Sequence, residues 1–411
     1  MIFYYLLLFT LPLNNHRWLA AEGAFTPVKY LALVCLPFAL YRFVIRPKLD
    51  ALLRSPVICF FGIYFAVMFF SYFSHGGNAS LATNDPLFHV VSMLVLIILT
   101  TFQVDTLPRL RSVVWVMIGS VGVASVYAVR DWLSNPFVGY RPGGISGDSN
   151  YFSVCASTCL VMTLHLALAS KSRREKVYLY GCLVTTSIGL LMAASRGAFV
   201  GVAAGLLFLM LRSGRGLRTL VLLAIVIVPL LLIVPNTIVQ RFVHPGYGEQ
   251  KAVEARETAW RGGLQMVRAH PLAGVGLGRF IDVVTTYEDP RDPEIRSLAH
   301  NTYIEVAAEL GIPGFLAYIG LAVSAFAALN RTARSSLGGQ GKSLLLGELA
   351  VGLQGGFLAA AVGSFFVSAW FFRFFWLVLF LPACFPIVEQ SLTSRTSVAL
   401  MPATLKMAPS P

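Results

Sequence analysis

The sequence is poor in charged residues. Asp, Glu, Lys and Arg make up 12% of the 411 residues, whereas a soluble domain has about 25%. Hydrophobic residues make up 56%, so few polar side chains remain to cover a water-exposed surface. This composition excludes a soluble enzyme held by a single anchor, and it predicts an all-α polytopic membrane protein.

Cysteine is also scarce, and its spacing carries no metal signature. The six cysteines all lie in apolar runs, none lies in the large polar loop, and as a set they lack the spacing of a zinc site. We interpret them as small hydrophobic residues of the interior. The basic patch with interleaved aromatic residues that marks nucleic-acid binding is missing too. The net charge of +13 is therefore interpreted as a topology signal, and no nucleic-acid partner is expected.

Twelve apolar segments approach or reach the length of about 20 residues that a membrane-spanning helix requires. They are 2–13, 27–44, 56–73, 87–103, 112–129, 150–170, 177–195, 197–213, 217–235, 302–329, 344–370 and 373–389. Residues 1–235 hold nine of these segments and residues 302–389 hold three. The large polar loop 236–301 separates the two groups. The tail 390–411 is rich in Ser, Thr, Pro and Ala without periodicity, which predicts disorder.

The distribution of Lys and Arg predicts the orientation. With the N-terminus inside, 18 of the 32 basic residues lie on the inner side, 6 lie in short outer loops and 8 lie in the long loop. Basic residues gather at cytoplasmic loop ends. Both termini are therefore predicted to be cytoplasmic, and Arg141, Arg196 and the long loop are predicted to face the opposite compartment.

Three patterns stand out in the long loop. Apolar residues of 253–269 recur at helical spacing, and His270-Pro271 follows, which predicts one amphipathic helix. Such a helix can lie on the membrane surface with its arginines turned toward the protein. Gly274–Gly278 has the glycine spacing of a phosphate loop, but no strand precedes it, so a tight turn is the better interpretation. The acidic stretch 288–294 is interpreted as a solvated turn rather than a metal site.

Three residues on the predicted outer side could carry chemistry, and each has a structural alternative. Arg196 lies between two apolar runs, where a guanidinium either snorkels to the interface or binds an anion such as phosphate. Arg261 follows Glu257 by about one turn and can form a surface ion pair instead. His300 lies where the loop meets the tenth segment. Guanidinium charge nearby would lower its pKa and keep the imidazole neutral, as a general base requires.

These residues lie in segments that resemble the O-antigen ligase and O-antigen polymerase superfamily of bacterial inner membranes. The segments are Arg141-Pro142-Gly143-Gly144, Asp148-Ser149-Asn150, Ser195-Arg196-Gly197, Trp260-Arg261, His270-Pro271-Leu272 with Gly274-Val275-Gly276-Leu277-Gly278, and His300-Asn301 with Gly311-Ile312-Pro313-Gly314. Nine residues separate Asn301 from Gly311, which is the spacing of the ligase motif. The layout of twelve spans with one large periplasmic loop also resembles this family.

The resemblance implies an inverting glycosyl transfer on the periplasmic side, without a metal or another cofactor. The donor would be a polysaccharide on undecaprenyl diphosphate, and the acceptor would be a sugar hydroxyl of lipid A core, both held among membrane lipids. Carried over to this chain, His300 would be the catalytic base. Arg196 and Arg261 would hold the diphosphate, and Arg141 is a further candidate for the same pocket.

Several points stay open from the sequence. Asn301 and Glu305 are candidates to orient His300, by adjacency and by helical spacing. The same residues fit an O-antigen polymerase, which extends the lipid-linked glycan, or a protein O-oligosaccharyltransferase, which uses a protein hydroxyl. A transporter is a more distant alternative, because arginines within spans can line a pathway. Against it, the chain shows no pair of broken helices in two matching halves.

Overall fold

The computed structural model describes residues 1–13, 27–45, 54–78, 85–135, 140–143, 147–214, 247–287, 297–336, 338–369 and 371–400, with three isolated positions between 218 and 224. Across these ranges the chain is helical and holds no strand, which confirms the all-α prediction. Eight of the described helices have the length and hydropathy of a membrane span, and two shorter apolar helices accompany them. The chain is a multi-pass membrane protein.

Eleven of the twelve predicted segments correspond to described helices. In chain order the helices are α1 (Ile2–Thr10), α2 (Pro27–Ile45), α3 (Pro56–Ser74), α4 (Pro86–Gln103), α5 (Leu107–Ser134), α6 (Ser149–Ala169), α7 (Arg173–Ala193), α8 (Arg196–Ser213), α9 (Tyr247–Ala269), α10 (Phe280–Val283), α11 (Thr302–Ser336), α12 (Lys342–Gly363), α13 (Arg373–Phe380) and α14 (Cys384–Leu400). The segment 217–235 falls almost entirely outside the described residues, so the count of twelve spans stays a prediction.

Proline and capping residues explain several helix boundaries. Pro86 opens α4, where its missing N–H removes no helical hydrogen bond. The preceding Asp85 accepts the N–H of Leu87 at 2.7 Å, which caps the helix. Pro382 lies in a short 3₁₀ turn between α13 and α14. The single predicted segment 373–389 is therefore two consecutive helices.

The predicted disordered tail begins as a helix. α14 runs through Leu400, so the first part of 390–411 is helical, and 401–411 lie outside the described residues. Buried Phe385 and Val388 anchor the start of α14. The hydroxyls of Ser391 and Thr393 donate to carbonyls of the preceding turn, so these polar residues continue the helix that the buried residues begin.

The helices α6, α8 and α12 pack closely against one another. A Cβ added to Gly205 of α8 would lie 2.6 Å from the carbonyl oxygen of Gly355 in α12, so a larger side chain would force the helices apart. Between α6 and α12, the Nε2 of buried His165 lies 2.8 Å from the Oε2 of Glu348. Arg196, one of the predicted site residues, is the first residue of α8 in this group of helices.

One end of the bundle brings the predicted site segments together, and we call it the site end. Arg141 donates from Nε to the carbonyl of Ala193 at 2.9 Å and from Nη2 to Oδ1 of Asn150 at 2.8 Å. It thereby joins the last residue of α7 to the first turn of α6. The backbone N–H of Thr302, at the start of α11, donates to the carbonyl of Val367 after α12 at 3.1 Å.

Candidate active site

Helix α9 is fastened to the first turns of α11 by a small apolar core of its own. This core contains Ala259, Met266, Val275, Phe280, Val284, Ala299 and Ala308. From the same helix, the indole N–H of Trp260 donates to the carbonyl of Ala299 at 2.7 Å. Because Ala299 precedes His300, Trp260 fixes the backbone from which the candidate base projects.

The spacing between His270-Pro271 and Gly311–Gly314 has a structural cause. Gly311 interrupts α11 with φ 69° and ψ −174°, in a region that L side chains rarely adopt. The N–H of Ile312 then donates to the carbonyl of Pro271 at 2.7 Å. A Cβ on Gly311 would lie 2.7 Å from that same carbonyl oxygen. The turn after α9 therefore docks into a break in α11 that only glycine permits.

The glycine-rich segment 274–278 is a turn held by a carboxylate. Glu309 of α11 is 1% exposed, and its two oxygens accept the N–H groups of Gly278 at 2.8 Å and Phe280 at 3.1 Å. The N–H of Gly276 donates to the carbonyl of Glu309. Since these donors point at Glu309, they cannot also bind a phosphate, and the interpretation as a tight turn is confirmed.

His300 is a half-buried residue that lies just before the start of α11. Its φ of 46° places it in the left-handed region. Burial lowers the pKa of its imidazole below the usual 6.5, the guanidinium of Arg256 lowers the pKa further, and the carboxylate of Asp148 opposes this by raising it. The imidazole is therefore neutral at pH 7. The sequence predicted that guanidinium charge would lower the pKa of His300, and in the structure this guanidinium belongs to Arg256.

Arg256 lies at the centre of the charges around His300. It is a half-buried residue of α9, and burial is the largest cause that lowers the pKa of its guanidinium. The carboxylate of Asp148 opposes this shift, and the positive charge of Arg196 adds to it. Four charged or titratable groups from four parts of the chain thus act on one another at the site end.

Sequence reasoning did not single out Arg256, although a signal for it exists. Arg256, Ala259, Gly263 and Met266 follow one another at spacings of three, four and three residues, which places them on one face of a helix. Ala259, Gly263 and Met266 are buried on the protein side. An arginine that continues a buried stripe must also point toward the protein.

Arg261 lies on a different face of the same helix. It is exposed, as is Arg268, and its Nη2 donates to the hydroxyl of buried Thr258 at 3.5 Å. The expectation that the arginines of this helix turn toward the protein therefore holds for Arg256 alone. The reason is geometric, because a helix turns by about 100° per residue and five residues separate Arg256 from Arg261 by about 140°.

Arg196 is the exposed first residue of α8 and follows a two-residue turn from α7. The side chain of Ser195 makes no capping hydrogen bond to α8, so the N–H groups of the first turn keep their donor capacity. The positive end of the helix dipole adds to the charge of Arg196.

Asn301 and Glu305 have structural positions beside the candidate base. The Oδ1 of Asn301 accepts the N–H groups of Tyr303 at 3.0 Å and Ile304 at 3.2 Å, so it caps α11. Glu305 is 2% exposed, and inside the bundle its charge acts on Glu309. Asn301 can orient His300 only through the backbone, by fixing where α11 begins.

A protein-family model described as O-antigen ligase matches residues 181–319. This match supports the resemblance to the O-antigen ligase superfamily. The match runs from within α7 to within α11, so this O-antigen ligase domain holds Arg196, Arg256 and His300, whereas Arg141 and Asp148 precede it. The superfamily comprises membrane enzymes of glycosyl transfer, and the match covers the segments around Arg196, Trp260-Arg261 and His300-Asn301 but not those at 141–150. A comparison with curated proteins gave no match.

Metal-ligating residues are not clustered in the part of the chain that the structure describes. In those ranges, no three His, Cys, Asp or Glu side chains are placed so that they could hold an ion. The acidic stretch 288–294 lies outside the described residues. All six cysteines are free thiols, and every one except Cys59 is at least partly buried.

Proposed function

We propose that the protein is an O-antigen ligase, which transfers a glycan from undecaprenyl diphosphate to a sugar hydroxyl of lipid A core on the periplasmic side of the inner membrane. The observation that carries this proposal is the grouping of Arg196 and Arg256 beside a neutral His300. Arg256 is half-buried and Arg196 is exposed, and their like charges repel one another. An anionic substrate that binds between them removes this cost.

The charge of the grouping suits a diphosphate. Arg141, Arg196 and Arg256 supply three positive charges and Asp148 one negative charge, which leaves a surplus of two when His300 is neutral. A diphosphate diester carries two negative charges and presents oxygens that guanidinium groups bind well. The uncapped first turn of α8 offers backbone N–H donors to the same anion. Together these groups would stabilise the charge that develops on the leaving diphosphate.

His300 is suited to activate the acceptor. Its neutral imidazole takes the proton of the acceptor hydroxyl, and the oxygen attacks the anomeric carbon as the bond to the diphosphate breaks. Attack from the side opposite the leaving group inverts the anomeric centre. Arg256 serves both halves of the reaction, since its charge favours the neutral base before transfer and attracts the diphosphate. Arg261, which the family resemblance suggested as a diphosphate ligand, faces the outer side of α9, and we assign that position to Arg256.

Reconstitution tests this proposal. The purified protein is placed in proteoliposomes with lipid-linked glycan, with and without lipid A core, in the presence and absence of a chelator. We expect glycan to appear on lipid A core with or without chelator, and we expect His300→Asn to abolish transfer while the thermal unfolding of the variant matches wild type. Chain lengthening without lipid A core would instead identify a polymerase. Transfer by His300→Asn at the wild-type rate would refute the role of His300.

A further inference from the structure

The turn after α9 fills the break that Gly311 makes in α11. In an unbroken helix the N–H of Ile312 would donate to the carbonyl of Ala308. It donates instead to the carbonyl of Pro271 at 2.7 Å, and the carbonyl of Ala308 accepts the N–H of Val275 at 2.9 Å. Non-helical backbone at membrane depth is stable only where other groups of the protein satisfy its hydrogen bonds. These bonds meet that condition, so the break and the turn can both lie within the membrane.

Contacts between this turn and α3 indicate its depth. The hydroxyl of Ser71 donates to the carbonyl of Glu309 at 3.1 Å and lies 3.4 Å from the carbonyl oxygen of Ala273. α3 has 19 residues and is therefore about 28 Å long. The hydrocarbon layer of a bilayer is about 30 Å thick, so α3 just spans it. Ser71 lies three residues before the end of α3, or about 4.5 Å, which places the turn level with the edge of the hydrocarbon layer.

Exposed apolar residues mark one side of α11 as lipid-facing. Ile312, Leu316 and Val323 are exposed, and their spacings of four and seven residues place them on one face of the helix. α11 has the length and hydropathy of a membrane span, so this face contacts acyl chains. Leu272 is 76% exposed, and its carbonyl oxygen would lie 2.8 Å from a Cβ on Gly311. It extends the exposed apolar face past the break in the helix.

The outer face of α9 has a different character. Leu264 is exposed there, and so are Arg261, three residues before it, and Arg268, four residues after it. These three residues share one face of the helix. Since charged groups are costly in lipid, this face of α9 meets water. Leu272 differs from Leu264 because its exposed neighbour across the break, Ile312, is apolar.

We propose that the 271–273 turn is inserted into the membrane, where Leu272 contacts acyl chains of the lipid leaflet at the site end. Leu272, Ile312 and Leu316 form one lipid-contact surface, which is continuous with the lipid-facing side of α11. Because the turn directly follows α9, this surface fixes the depth of that helix. Through the hydrogen bond from Trp260 to the carbonyl of Ala299, it also holds the candidate site at the membrane surface. The contact with lipid is independent of the proposed function.

Spin labels test this proposal on the full-length protein in vesicles of phosphatidylethanolamine and phosphatidylglycerol. Leu272→Cys, Leu264→Cys and Leu316→Cys are each made in a Cys59→Ser background, because Cys59 is exposed and the other native cysteines are at least partly buried. The signal of the labelled background is subtracted. We expect the label at position 272 to match that at 316, with high accessibility to oxygen, which concentrates in lipid, and low accessibility to a water-soluble nickel chelate. The label at 264 should show the reverse order.

The outcomes are distinct. A label at position 272 that the nickel chelate reaches as readily as the label at 264 would refute the insertion. A label that neither reagent reaches would show that protein, such as a second copy of this chain, covers the turn, and would refute the lipid contact as well. Ile312→Cys gives a second site on the same surface and should repeat the result at 272. A protein that contacts lipid here but transfers no glycan would refute the proposed function alone.

Discussion

Arg256 and Arg261 lie five residues apart on two different faces of α9. Replacing each of them by glutamine shows which face of the helix serves the transfer reaction. Glutamine removes the charge, keeps much of the side-chain length and forms helices about as well as arginine. Arg256→Gln takes away the guanidinium that acts on His300. Arg261→Gln takes away an exposed guanidinium on the same helix and so serves as its matched control.

The expected magnitudes differ strongly. Removing a donor that stabilises transition-state charge costs about 10²–10³ in rate, or about 2.7–4 kcal/mol. An exposed charged group contributes about 0–1 kcal/mol, which corresponds to at most about a fivefold change in rate. The two variants should therefore differ by at least about one order of magnitude, with Arg256→Gln the slower.

The pH dependence gives a second readout with a defined sign. His300 must be neutral to act as base, so activity falls as the pH falls through its pKa. The charge of Arg256 lowers that pKa. Without it the pKa rises, and the acidic limb of kcat/KM moves to higher pH. Arg261→Gln should leave the limb in place.

Transfer of glycan to lipid A core in proteoliposomes, followed across pH with both variants at equal protein density, measures both effects. A thermal unfolding curve for each variant checks that the fold is kept. Two results would refute the reasoning. One is a loss of rate in Arg261→Gln equal to or larger than that in Arg256→Gln. The other is an Arg256→Gln variant whose acidic limb coincides with that of wild type.

Three further experiments test the framework that holds the site. Gly311→Ala should lower the free energy of unfolding by more than about 1–3 kcal/mol, since it combines backbone strain with a backbone clash. The control Gly76→Ala, at φ 79° in open space, should lower it by about 1 kcal/mol at most. Equal losses of the two variants in thermal unfolding would contradict this. Trp260→Phe removes one hydrogen bond, worth about 0.5–1.5 kcal/mol. We expect this variant to lose kcat clearly while its unfolding temperature changes little. His165→Phe and Glu348→Leu should each destabilise by about 3–5 kcal/mol and the double variant by less than their sum, so additive losses would show that the two side chains do not interact.

The sequence predicted most of the membrane helices, because an apolar run of sufficient length has few other stable forms in a bilayer. The boundaries were less accurate where local chemistry decides. α5 begins at Leu107 rather than at 112, since Pro108 in its first turn is compatible with a helix start. α14 extends past 390 because Ser391 and Thr393 satisfy their hydroxyls on the helix itself. Composition alone does not reveal such local bonds.

The site was predicted in part. His300 and Arg196 followed from their places between polar and apolar segments, and in the structure the charge of Arg256 acts on His300 and the charge of Arg196 acts on Arg256. Arg256 itself was missed because the family segment drew attention to Trp260-Arg261, a few residues further on. Arg196 and Arg256 lie on two separate helices, and no local sequence pattern encodes an electrostatic interaction between them.

The backbone at position 300 restricts the side chain before chemistry does. Outside glycine, the left-handed region is populated chiefly by Asn, Asp and His, and His300 occupies it with φ 46°. Among these residue types only histidine has an ordinary pKa near neutrality. Histidine is therefore the one residue type that both adopts this backbone conformation and supplies a neutral base. Replacement by Asn would preserve the bend and remove the base, which makes it the substitution that reports on proton transfer alone.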